Sequence, residues 1–93
     1  MSTKNTEPIG ALLLRTEAKL ETCAVRVLAA PCEGLPWLKE ARASTARMLT
    51  NRAELCRTWR RWWEWKGADK DCADWEENVR ACCAEFHDMV EGI

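Results

Sequence analysis

The chain contains no tyrosine, one phenylalanine and one histidine, with only four glycines and three prolines in 93 residues. A single histidine leaves little for imidazole acid–base chemistry or for a histidine-rich metal site. The few glycines form no phosphate-binding loop, and there is no nucleophile elbow. No apolar run is long enough to span a bilayer. The run from Ile9 to Leu14 is too short for a secretory leader, and Arg15 and Glu17 follow directly behind it. No segment alternates in the period of a strand, and no repeat is evident. The expectation is a cytoplasmic, non-enzymatic protein with no cofactor, no metal and no membrane association.

Against these absences stand six tryptophans and six cysteines. A short chain with six cysteines suggests a disulfide framework, but a cytoplasmic setting keeps thiols reduced. Cys23, Cys72 and Cys82 fall at core-facing helical positions, where a thiol acts as a small hydrophobe. Cys83 and His87 are four apart, a spacing that can place two ligands on one metal. Without a Cys-x-x-Cys pair or a second histidine, this falls short of a zinc site.

Three helices are legible, over about 7–30, 36–66 and 70–92. Thr6 can cap the first, with Glu7 and Pro8 in its opening turn. Ile9, Leu13, Thr16, Leu20, Cys23 and Val27 then recur at steps of four and three, which draws one stripe down a helix. Pro31 and the Gly34–Leu35–Pro36 sequence stop it. In the second segment, Leu38, Ala41, Thr45, Met48, Arg52, Leu55, Trp59 and Trp62 mark the core line. Leu49, Cys56 and Trp63 widen that line into an arc. Unbroken, this helix would extend about 45 Å. Ser44–Thr45 or Thr50–Asn51 can kink it, and Gly67 can cap it. The third helix is capped from Asp69 or Asp71 and carries Cys72, Trp75, Val79, Cys82, Phe86, Met89 and Ile93 on one face. The fold expected is all-α, a compact antiparallel three-helix bundle in one domain. Trp59, Trp62, Trp63, Trp75 and Phe86 join the aliphatic stripes in its core.

Charge separates along the chain. Residues 37–66 hold eight basic and three acidic side chains, and residues 67–93 hold two basic and eight acidic. The second and third helices should therefore lie side by side with their flanking charges attracting. Arg52, on the core line, needs a carboxylate partner or an opening to the outside.

Three surfaces can carry contacts. Trp59, Trp62, Trp63 and Trp65 alternate with Arg60, Arg61 and Lys66 in one short segment, and tryptophan and arginine are the residue types that most often dominate interfaces. Arg57, Arg60 and Arg61 project opposite the core arc, and with Trp65 and Lys66 they form a candidate patch. The first helix has a rear stripe, Ala11, Leu14, Ala18, Val25 and Ala29, where a one-faced helix should be polar. That stripe suits a homodimer seam or a partner groove. Asp74, Glu77, Glu85 and Asp88 form an acidic face that can engage a basic nucleic-acid channel.

The function expected is stoichiometric protein binding by an inhibitor or adaptor that sterically blocks a larger complex, possible partners including one that handles nucleic acid. In size and character the chain is similar to phage-encoded inhibitors of bacterial defence systems, anti-CRISPR proteins among them. The alternative is a nucleic-acid-binding regulator that uses the basic Trp/Arg helix; direct nucleic-acid binding is the weaker expectation, because the acidic third helix opposes it.

Overall fold

The structure, a computed structural model, describes residues 7–31, 34–66 and 72–93, with backbone alone at Lys66. It is an antiparallel all-α bundle of α1 (Ile9–Ala29), α2 (Pro36–Lys66) and α3 (Ala73–Gly92). Thr6, Gly67, Asp69 and Asp71, the caps expected from sequence, lie outside the described residues. Glu7 and Pro8 precede α1 rather than opening it, and Pro8 stands at the N-cap without a side-chain hydrogen bond. The link into α2 passes through Gly34 at φ 78°, in the left-handed region that other residues adopt only with strain. α2 runs without interruption past both expected break points. Thr45 Oγ1 bonds back to the Ala41 carbonyl at 3.0 Å, so its hydroxyl is satisfied inside the helix.

The expected stripe of α1 is the observed one. Ile9, Leu13, Thr16, Leu20 and Cys23 are buried and Val27 half-buried, with Leu12, Glu17 and Ala24 broadening the arc. α1 packs on both other helices. It can do so because its buried arc is wide enough to meet two neighbours.

The core line of α2 needs correction. Its deepest positions are Ala46, Leu49, Ala53 and Cys56; Leu49 and Cys56 belong to the expected arc and Ala46 and Ala53 do not, and Ala41 and Leu55 on the expected line are exposed. The two lines lie about 100° apart, one residue step around a helix. The reason is distance. Alanine and cysteine let α1 approach closely, so the α1-facing side becomes the most buried. The line expected from residue size instead faces α3 across a wider gap, bridged by large side chains.

Those bridges are aromatic. Trp59 stacks on Phe86 with ring centroids 6.4 Å apart. Trp75 meets Trp62 at 4.6 Å in a tilted pair and Trp63 at 5.9 Å in a stacked one. The four indoles are half-buried rather than central, and only Phe86 is buried. Arg52 has its guanidinium carbon 5.9 Å from the Phe86 centroid. A cation on an aromatic face thus takes the place of the carboxylate expected for it.

The cysteine positions are also shifted. Cys23 is buried as expected, but Cys72 and Cys82 are half-buried, and the central thiols are Cys56 and Cys83. One buried cluster draws on all three helices.

Candidate functional site

The Trp/Arg segment of α2 divides into three parts. Trp59, Trp62 and Trp63 are committed to α3. Arg57 and Arg60 do not project away from the core, as the helical projection placed them, but turn toward α1. Arg57 Nε donates to Glu17 Oε2 at 2.9 Å and its Nη2 to Glu21 Oε2 at 2.9 Å, while Arg60 Nη2 donates to Glu17 Oε1 at 3.1 Å. Glu17 therefore has both oxygens engaged, and the hydrogen bond to it raises the Arg57 pKa. Arg61 and Trp65 form the third part and are exposed, Trp65 at 74%. The Lys66 side chain lies outside the described residues.

This arrangement also corrects the expected pairing of charges. Among the described residues, inter-helical ion pairs join α2 to α1, not α2 to α3. The cause is again geometric. Close approach of α1 and α2 puts side chains within reach, whereas the indoles between α2 and α3 hold the two backbones apart.

The outer side of α1 exposes large apolar side chains. Leu14 is 54% exposed, Val25 67% and Leu28 61%. Ala11, Ala18 and Ala29 are exposed along the same strip. Leu28, absent from the stripe drawn on the sequence, widens it between Val25 and Ala29. Glu21, also on this side, is neutralised by Arg57. An apolar strip of this length, lined by small side chains, admits another helix at short range. On α3, Asp74, Glu77, Glu85 and Asp88 are all exposed. The molecule thus presents an apolar ridge, a small Arg61–Trp65 corner and an acidic flank on different elements.

A polar cluster occupies the centre of the core. Thr16 Oγ1 donates to the Leu12 carbonyl at 2.8 Å and lies 3.1 Å from His87 Nε2. The same hydroxyl also bonds Cys83, and which group donates in the Thr16–His87 contact depends on the imidazole tautomer. Burial lowers the His87 pKa, and nearby Lys19 and Arg15 act in the same direction. Beside it, Cys56 and Cys83 share a thiol–thiol hydrogen bond. The contact raises Cys56 and lowers Cys83, with burial opposing the change at Cys83. Cys83 and His87 therefore share Thr16 as a partner, and Cys83 also meets Cys56. Among the described residues, no three His, Cys, Asp or Glu side chains converge on a point where a metal ion could sit.

Sequence reasoning found the rear stripe of α1 but missed Glu17. A signal was present: a carboxylate one residue beyond Thr16 inside an apolar arc requires a cation, and Glu21 one turn later points the same way. No helix among the described residues is long and apolar enough to cross a membrane. No family model matches the chain, and neither the curated proteins nor the solved structures contain a significant match to it.

Proposed function

We propose that the chain is a small non-enzymatic protein-binding module of the cytoplasm. It acts stoichiometrically, as an inhibitor or adaptor that covers a working surface of a larger complex. The observation that carries this reading is the exposed ridge of Leu14, Ala18, Val25 and Leu28 on α1. Exposed apolar surface of this extent has a free-energy cost in water and marks association sites. The Arg61–Trp65 corner and the acidic face of α3 supply flanking contacts that set orientation and suit a partner with a basic channel. A phage or mobile-element accessory protein of the anti-CRISPR kind would use such a surface sterically.

The competing reading, direct nucleic-acid binding through α2, needs Arg57 and Arg60 free to meet phosphates. Both are held by Glu17, which leaves Arg61 as the exposed member of the triplet. The test is affinity capture from the native cell, with and without nuclease, using wild type and the double variant Leu14→Lys/Val25→Lys. The expected outcome is a protein partner retained after nuclease treatment and lost by the double variant, whose helical circular dichroism is unchanged. Capture that disappears with nuclease, and with Arg61→Gln rather than the ridge variant, would replace this proposal with nucleic-acid binding. Sedimentation over a wide concentration range distinguishes a homodimer seam from a heterologous contact at the same ridge.

A further inference from the structure

At the end of the bundle, where α1 finishes, α2 begins and α3 finishes, a half-open groove of about 460 Å³ lies between the helices. Val27, Leu38, Val90 and Ile93 line it, together with Arg26 and Arg42. This volume is within the range of small-molecule sites. The lining is mostly apolar, and the charged side chains in it are the two guanidinium groups. Arg42 Nη1 is shielded from solvent and has no hydrogen-bond partner. A buried donor without a partner is an unfavourable state that an acceptor on a ligand relieves.

We infer that this groove binds a medium-chain fatty carboxylate, its chain against Val27, Leu38, Val90 and Ile93 and its headgroup between Arg26 and Arg42. The apolar wall selects a hydrocarbon tail, and the paired guanidiniums select one negative charge at its end. The C-terminal ends of α1 and α3 bring opposing partial charge to the rim. Each amounts to about half an elementary charge, against two full charges on the arginines. The groove lies away from the outer ridge of α1, since Val27 lines it while Leu14 and Val25 face outward, so this site is independent of the protein-binding proposal.

The experiment is a titration of the ¹⁵N-labelled protein with decanoate below its micelle-forming concentration, with decanol and decyltrimethylammonium as comparators. Decanoate should shift the amides of Val27, Leu38, Ala41 and Val90 and bind roughly tenfold more tightly than decanol, one charge-assisted contact being of that size. Decyltrimethylammonium should not bind. Arg42→Gln and Arg26→Gln should each narrow the difference between decanoate and decanol. Ala41→Trp, at an exposed helical position beside the groove, should abolish binding of both while leaving the circular dichroism unchanged. Equal affinity for decanoate and decanol would overturn the inference. So would shifts confined to the outer ridge of α1, or none up to the solubility limit. A fatty-acid result of either sign leaves the capture experiment on the α1 ridge unaffected.

Discussion

Glu17 shows how much one side chain can organise. It is only 7% exposed and holds two arginines whose side chains remain 35% and 23% exposed. Removing its charge takes one partner from each guanidinium, while Arg57 keeps Glu21, Arg60 keeps Glu64 and both can reach water. Glu17→Ala should therefore destabilise the fold by about 2 kcal/mol, between the values for surface and fully buried pairs. Urea denaturation measures it, and a double-mutant cycle with Arg57→Ala isolates the pair. His87 offers a pH test. Its pKa is lower in the fold than the 6.5 of the free side chain. The unfolded chain therefore binds more protons once pH falls below about 6.5, and stability must fall in that direction. Arg15 and Lys19 strengthen the effect, while Glu7 and Glu91 oppose it. The melting temperature should drop between pH 7.5 and pH 5.5, and His87→Gln, which keeps a donor for Thr16, should flatten that drop.

At the scale of the element, each helix was legible and its orientation only partly so. α1 could be placed because Ile9, Leu13, Thr16, Leu20 and Cys23 recur at unbroken steps of four and three, even with an apolar strip behind them. α2 was harder to orient, because its apolar residues spread over a broad arc and periodicity alone ranks Leu55 with Leu49. Packing separates them: Leu49 is fully buried and Leu55 is 38% exposed. Leu49→Ala should cost about 3 kcal/mol, as a buried leucine leaves a cavity, and Leu55→Ala under about 1 kcal/mol. Similar costs at the two positions in denaturant titrations would contradict this orientation of α2. Trp75, which meets both Trp62 and Trp63, is the main aromatic anchor of α3 near its start. Trp75→Ala should cost about 2–3 kcal/mol, less than a fully buried indole.

The whole molecule measures 54 × 32 × 16 Å, and its helices are unequally joined. α1 packs more extensively on α2 than on α3. α3 is held by Val79, Cys83 and Phe86, by the aromatic bridge and by the Thr16–His87 contact, and among the described residues the inter-helical ion pairs join α1 and α2. Local opening follows contact density. Native-state hydrogen exchange should therefore show the ends of α3 opening at lower free energy than the centre of α1, and Trp75→Ala should widen that difference. The sequence by itself determined three helices and the apolar composition of the outer side of α1, because hydrophobic period and breaking residues act locally along the chain. Only the tertiary structure decided which side of α2 meets α1, which arginines are engaged, and that a groove opens where three helix ends meet. Those outcomes depend on how closely two backbones approach, which small residues on one helix permit and indoles on another prevent.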